Sequence, residues 1–553
     1  MSNNDTNAIL IKKSTFKDVK IIEKLIDKHA KKIPTFISGP PGTRKTSKWI
    51  VDKYRELLKK YSYENIIVLS HTNVAADEIK KEILKIPEMQ DVKKKSVEFK
   101  ICTIHSYCKN RLVGRKEVFS YEDHCELSKE ESLFKLQTKV SQQRFDNGEQ
   151  RFYKYLNDAF GKGEDDLTKF WKICNRSSYW PYTITEINKM VPYYKAYKDK
   201  KFVCDFADMI KDFLDKAKDP DIDVLIVDEA QDSNVPQRKA LEKMATKTKE
   251  YYMVGDADQT IFEFAGADPE YYHRLSRNAE QLEQGYRCSQ TITNLCKRTI
   301  RPIWNHYGYE RVWKPTDVIG NHYHIPNYHS KCSAMEALLD KIKNTNETFL
   351  FTYRGVPTDA VVKNFFKQQG IEFAHVGNTA HVSKKEIRCH KLWPDFCKGK
   401  LTPLKQIKDF WKYIGSKVIV WGKGEETFED WVDREYTIDY LINKKLLKES
   451  AKQERDFSLI RLQKGKKEDF KQRLIYIRKI LQNGFNIDGE PRVKYANIHT
   501  VKGLSFDNVI VDLTRTRPED YFTQLRLKYV ALSRGRFDCW TVASQDKYTL
   551  GKK

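Results

Sequence analysis

The chain has 553 residues, 40% hydrophobic and 12% aromatic, enough for several domains with cores of their own. Its formal net charge of +24, 100 Lys plus Arg against 76 Asp plus Glu, is spread along the chain and points to a polyanionic partner, with a merely Lys-rich soluble protein as the plainer alternative. No apolar run approaches the ~18 residues of a membrane span, and the polar opening Met1-Ser2-Asn3-Asn4-Asp5 lacks a signal peptide's apolar core, so a cytoplasmic protein (host cytoplasm for a viral or phage chain) with no membrane partner is expected.

Residues 1–38 read as a short amphipathic helix (Val19, Ile22, Leu25, Ile26) feeding a first strand at 35–38. That strand enters Gly39-Pro40-Pro41-Gly42-Thr43-Arg44-Lys45-Thr46, and a helical pattern through Trp49, Ile50 and Tyr54 follows. Strand, Gly-rich turn and helix start are the context of a phosphate cradle, with backbone N–H groups facing the anion. Lys45 would reach the β- and γ-phosphates and the Thr46 hydroxyl would ligate Mg²⁺. Arg44 stands where Gly is expected, and if that residue needs φ > 0 it is strained.

Strands are expected at 66–69 and 99–102. The first ends in His71-Thr72-Asn73-Val74-Ala75-Ala76 and the second in Thr103-Ile104-His105-Ser106, where hydroxyl and small residues ahead of a helix can seat phosphodiesters. Residues 110–200 break the alternation with a helical, aromatic and basic stretch (Phe152, Tyr153, Tyr155, Phe170, Trp171, Trp180, Tyr193, Tyr194), read more readily as core than as a nucleic-acid platform. The sheet resumes near Asp205-Phe206-Ala207-Asp208.

Val224-Leu225-Ile226-Val227 then runs into Asp228-Glu229-Ala230-Gln231-Asp232. An unalternating apolar run fits a strand buried on both faces of a parallel sheet, whose carboxyl end is where ligands bind. Asp228 can hold Mg²⁺ and Glu229 can deprotonate a water. The next strand, at 251–254, ends in Gly255-Asp256-Ala257-Asp258-Gln259-Thr260-Ile261-Phe262-Glu263-Phe264. Gln259 suits a sensor of a γ-phosphate and its attacking water, and Phe262 and Phe264 suit base stacking.

A second α/β unit starts with Gly285-Tyr286-Arg287, a helix through Ile292 and Leu295, a strand at 349–354 and a helix through Val361 and Phe365. A Lys-rich helical insertion spans 385–490. The sheet returns with Tyr495-Ala496-Asn497-Ile498-His499-Thr500-Val501-Lys502-Gly503-Leu504 and a strand at 509–513, and a helix at 527–532 leads into Ser533-Arg534-Gly535-Arg536. The 11 cysteines are scattered and lack a Cys-x-x-Cys pair, so reduced, buried thiols (Cys102, Cys204, Cys539) are expected, and Cys389, His390 and Cys397 are read as core and not as metal ligands.

Taken in order from Gly39 to Arg536, these blocks resemble superfamily 1 DNA helicases of the UvrD/Rep/PcrA-like branch. The resemblance implies an α/β fold of two RecA-like parallel-sheet domains (P-loop NTPase), each with a mainly helical insertion. The expected segments are 1–110, 111–200 (insertion) and 201–277, then 278–384, 385–490 (insertion) and 491–553. It implies ATP and Mg²⁺ as cofactors, held by residues 39–46 with Ser47, Tyr286 and Gly503; metal ligation by Thr46 and Asp228; and catalysis by Glu229, Gln259, Arg287 and Arg534. Thr72, Asn73, His105, Phe262, Phe264 and His499 would contact single-stranded DNA or a single-strand/duplex junction. Movement 3′ to 5′, a monomeric motor and replication or repair partners are further implications.

Several positions depart from the pattern: no Gln precedes the phosphate loop, Ser47 replaces an Arg, Ser505 a Glu, and Ile104 an aromatic. They imply loosened base selectivity and one fewer stacking contact. A translocase that unwinds poorly, and a DNA-binding scaffold whose ATPase is disabled at Arg44, are the alternatives.

Overall fold

A computed structural model describes residues 32–112, 117–130, 151–163, 184–378, 380–420, 422–423, 425–461, 467–484, 489–514 and 521–543. The expected helix with Val19, Ile22, Leu25 and Ile26 lies outside them, as do Phe170, Trp171, Trp180 and the side chains of Phe152 and Tyr155. The chain divides into two compact units, Met1–Gly285 with Trp304–Trp313, and Tyr286–Ile303 with Lys314–Lys553.

The first unit is built on β1 (Thr35–Ser38), β2 (Ile66–Ser70), β3 (Ile101–Thr103), β4 (Val224–Val227), β5 (Glu250–Gly255) and β6 (Glu280–Gln281). They form one six-stranded sheet in the order β3-β2-β4-β5-β1-β6, parallel throughout. The period-2 geometry of a strand explains the uninterrupted apolar runs. In β4, Leu225 and Val227 join one core cluster, with Ile67, Leu69 and Met253, while Val224 and Ile226 join another on the opposite face, with Ile66, Val68 and Val254. Helices cover both faces, so both sets are apolar. β3 starts later than expected because Phe99 is exposed.

The second unit contains β7 (His322–Ile325), β8 (Phe349–Tyr353), β9 (Phe373–His375), β10 (Val493–Asn497), β11 (Phe506–Asp512) and β12 (Gly535–Val542), in the order β9-β10-β8-β11-β12-β7. This sheet too is parallel. Phe349, Phe351, Phe373, Ile510 and Trp540 share its core. The two α/β units, each on a six-stranded parallel sheet, match the fold class implied by the motifs.

Between β3 and β4, helices Tyr121–Glu130, Arg151–Gly161 and Ile184–Lys201 are tied by a two-residue pairing of Glu117–Val118 with Val203–Cys204. Phe119, Met190, Tyr194 and Tyr197 form their core with Tyr153 packed against it, while Tyr193 faces solvent. The described part of the aromatic stripe is thus mostly core. Between β9 and β10, helices Lys384–Cys397, Leu404–Trp411 and Ile438–Asn443 surround Trp393, Phe410, Phe428 and Phe457, whereas helix Lys467–Asn483 sends Tyr476, Ile477 and Ile480 into the core of the sheet. Cys389 and Cys397 lie in that core, where Gln406 donates to the Cys389 sulfur and the Cys397 thiol donates to the Ala451 carbonyl. His390 packs edge-on against Phe457. Among the described residues no helix is long and apolar enough to cross a membrane.

Candidate active site

The loop after β1 closes on itself. A Cβ on Gly39 would sit 2.6 Å from Thr43 Oγ1 and 2.8 Å from Lys45 Cγ, so only glycine fits there. The Thr43 hydroxyl donates to the Pro40 carbonyl at 2.8 Å. Arg44 does adopt the left-handed conformation, at φ 59° and ψ 38°, which costs a side-chain-bearing residue about 1–2 kcal/mol. Its carbonyl accepts from the amides of Lys48 at 3.0 Å and Trp49 at 3.1 Å. This opens a wide π-turn, Lys45–Ile50, before the α-helix Val51–Leu58. The buried Lys45 ammonium donates to the Gly39 carbonyl at 2.8 Å and more weakly to Pro40 at 3.4 Å. Burial lowers its pKa, against the pull of Glu229, Asp256 and Asp228. Ser47 is exposed.

At the end of β4 the Thr46 hydroxyl donates to Asp228 Oδ2 at 2.9 Å. The other carboxylate oxygen, Oδ1, is buried without a hydrogen-bond partner among the described residues. Burial, reinforced by the neighbouring Glu229, pushes Asp228 up to about 7. A hydroxyl beside a carboxylate with an unsatisfied buried oxygen is a donor set that fits a hard divalent cation such as Mg²⁺. Glu229 is itself left-handed, at φ 48°, a conformation that concentrates at functional sites. Its Oε2 accepts from Gln231 Nε2 at 2.5 Å, and Gln231 Oε1 accepts from the Asp256 amide at 3.0 Å. Gln231, to which the sequence reading assigned no role, therefore joins the ends of β4 and β5.

Gln259 lies in the short turn Ala257–Gln259 after β5 and donates to Asp256 Oδ2 at 2.9 Å. The buried Arg311 donates to Asp256 Oδ1 at 2.5 Å and to Asp258 Oδ2 at 2.7 Å, and Trp304 Nε1 donates to the same Asp258 oxygen at 2.8 Å. Burial pushes Asp258 up to about 6 against the pull of Arg311. For Asp256, burial is outweighed by Arg311 and Lys45, and its pKa falls. Arg311 and Trp304 escaped the sequence reading. The available signal was the pair Asp256 and Asp258 beside an apolar strand, two buried acids that require a cation.

The remaining candidates of this unit follow the carboxyl ends of β2, β3 and β5. The Thr72 hydroxyl accepts from the Ala75 amide at 3.2 Å and caps helix Asn73–Ile83, which leaves its own proton to donate; Asn73 is exposed. His105 packs edge-on against Phe206 at 5.2 Å, and burial lowers its pKa to about 4, so it acts as a neutral ring. Phe206 is 54% exposed and starts helix Phe206–Lys216, whereas Ile104 is core. Phe264 is 43% exposed and meets the half-buried Phe262 at 6.0 Å. Phe206 is a second aromatic missed in the sequence, where it looked like strand.

In the second unit, Tyr286 is exposed and Arg287 half-buried. Arg287 and Arg534 both bear on the Cys288 thiol, which burial nonetheless raises to about 11. Arg534 is enclosed and donates to the carbonyls of Val530 at 2.9 Å and Leu504 at 3.3 Å and to Ser533 Oγ at 2.8 Å. Gly503 holds φ 87° in the turn beyond β10, with His499 half-buried at its start.

Residues 23–280 match the family profile described as the UvrD/REP helicase N-terminal domain. Similar curated proteins include the ATP-dependent DNA helicase Rep of Buchnera aphidicola subsp. Baizongia pistaciae, 25% identical over 301 residues (50% of this chain, 43% of that protein). The Rep of Buchnera aphidicola subsp. Schizaphis graminum is 22% identical over 384 residues (64% and 56%). A probable DNA helicase II homolog of Mycoplasma pneumoniae is 24% identical over 409 residues (63% and 55%). The chain spans about half the length of the curated relatives it matches.

Proposed function

We propose that this chain, whose residues 23–280 match the UvrD/REP helicase N-terminal domain, is a Mg²⁺-dependent ATPase that moves on single-stranded DNA, 3′ to 5′, and opens duplex at junctions. The observations that carry this reading are the Thr46–Asp228 hydrogen bond with an unsatisfied Asp228 oxygen, and beside it the run Glu229–Gln231–Asp256–Gln259 that links the carboxyl ends of β4 and β5.

In this mechanism residues 39–46 wrap the phosphates, and Lys45 leaves the Gly39 carbonyl for the β- and γ-phosphates. Thr46 and Asp228 would hold Mg²⁺, which supplies charge neutralisation of the phosphate oxygens. Glu229 accepts the proton of the attacking water, and its link to Gln231 keeps the carboxylate aimed. Gln259 orients that water against the γ-phosphate, while Arg287 and Arg534 stabilise charge on the transferring group. For Arg534 this requires release from its carbonyl partners. Phe262, Phe264 and Phe206 offer faces for bases, with Thr72, Asn73, His105 and His499 as polar contacts. Tyr286 stacks on the nucleotide base. Action in the cytoplasm, as a monomer, with replication or repair proteins completes the proposal.

Steady-state ATP hydrolysis with and without single-stranded DNA, with Lys45→Ala as control, tests it. Stimulation by DNA that vanishes in the variant is expected. Absent turnover with DNA binding intact would replace the motor with a scaffold disabled at Arg44. Glu229→Gln should lose turnover by about 10²-fold or more while still binding DNA.

A further inference from the structure

Asp256 and Asp258 sit one residue apart on the Gln259 turn, both 0% exposed. Two carboxylates this close in a dry environment repel each other unless a cation stands between them. Arg311 is that cation, and it comes from a segment more than 50 residues further along the chain. Its Nη1 touches Asp256 Oδ1 at 2.5 Å and Asp258 Oδ2 at 2.7 Å. Asp256 then carries Arg311 on one oxygen and Gln259 on the other. The Asp256 amide continues to Gln231, and Gln231 to Glu229. Trp304 anchors the far end through Asp258.

Gln259 has one carboxamide with which to meet a water and a phosphate, so its orientation depends on the carboxylate beneath it. We propose that Arg311 is a positioning residue for Gln259, fixing Asp256 and through it the carboxamide, with Trp304 sharing the task through Asp258. This rests on the ATPase reading above. A purely structural ion pair would hold the same atoms together but would affect folding and turnover without regard to Gln259.

The test uses the full chain with Arg311→Lys, Arg311→Met and Trp304→Phe, each alone and with Gln259→Ala. kcat and KM for ATP are measured at saturating single-stranded DNA, alongside affinity for a fluorescent ATP analogue and the thermal midpoint. Arg311→Lys keeps the charge, but its ammonium falls one bond short of the Nη1 that meets both carboxylates, and Trp304→Phe removes the indole N–H while keeping an aromatic ring in the core, so both serve where Arg311→Met fails to fold. Arg311→Lys is expected to lower kcat about tenfold or more with KM and analogue affinity within about threefold. Trp304→Phe should lower kcat in the same pattern by less. Adding Arg311→Lys to Gln259→Ala should cost less than about twofold further, because the carboxamide through which Arg311 acts is already gone. Effects that multiply in a folded double variant, or an Arg311→Lys protein with unchanged kcat, overturn the proposal. A wild-type chain without turnover overturns the ATPase reading and this proposal with it.

Discussion

Gln231 Oε1 lies 2.2 Å from the point where a Cβ on Gly255 would stand. The glycine at the end of β5 is therefore the space into which the Gln231 carboxamide reaches to bridge Glu229 and the Asp256 amide. Gly255→Ala should fold, since the clash is with a side-chain end, but the bridge must break. Leaving the buried amide and carboxamide unpaired costs about 1–3 kcal/mol. Denaturant unfolding should register that loss, and ATP turnover should fall with it as Glu229 loses its orienting partner. Turnover at the wild-type level would mean that the bridge is not needed.

Phe264 and Phe206 present aromatic faces to solvent. Replacing either by Ala should weaken single-stranded DNA binding by about 1–3 kcal/mol, the value of one stacked base. Stacking releases no counterions, so the slope of log affinity against log salt should stay constant. Fluorescence anisotropy titrations across a salt series separate the two quantities. A shallower slope would show that a phosphate contact had been disturbed instead.

The strand ends of the candidate site were legible because their residue pattern is local. An apolar run between two helix layers reads the same from either face, and the phosphate loop announces itself by Gly39 and Lys45. The edge strands β6 and β7 were not: His-Tyr-His-Ile at 322–325 is half-exposed, and Glu280–Gln281 has no apolar residue. Arg311 was hidden for another reason. Its partners Asp256 and Asp258 are 55 and 53 residues away, and nothing around Arg311 marks it as buried. Arg534 was found by motif, but a motif does not reveal that its guanidinium rests on the Val530 and Leu504 carbonyls.

Arg44 at φ 59° offers a direct measure of strain in the phosphate loop. Arg44→Gly removes the Cβ conflict but adds freedom to the unfolded chain, worth about 0.4–1 kcal/mol in the opposite sense. With about 1–2 kcal/mol relieved against that cost, the variant should be stabilised by up to about 1.5 kcal/mol. Its nucleotide affinity should not fall, because the loop conformation is already the one glycine favours. A lower denaturation midpoint would mean that the Arg44 side chain contributes contacts worth more than the strain.

Asp228 links the site to pH. Burial and then Glu229 lift its pKa from the ordinary 3.8 to about 7. Between those values the folded, nucleotide-free protein holds a proton that the unfolded chain has released, so this contribution to stability is full below about 4 and is lost as pH rises through about 7. Cation binding runs the other way, since it needs the carboxylate. Affinity for Mg²⁺–nucleotide should therefore climb by about tenfold per pH unit up to about 7 and then level off. Titration calorimetry in two buffers of different ionisation enthalpy should find about one proton released at pH 6 and almost none at pH 8. Asp228→Asn supplies the baseline, because the nucleotide's own protonation persists in it while the Asp228 proton does not. Equal proton release by wild type and variant at pH 6 would mean that Asp228 is already ionised there and that its unsatisfied oxygen is not where the cation binds.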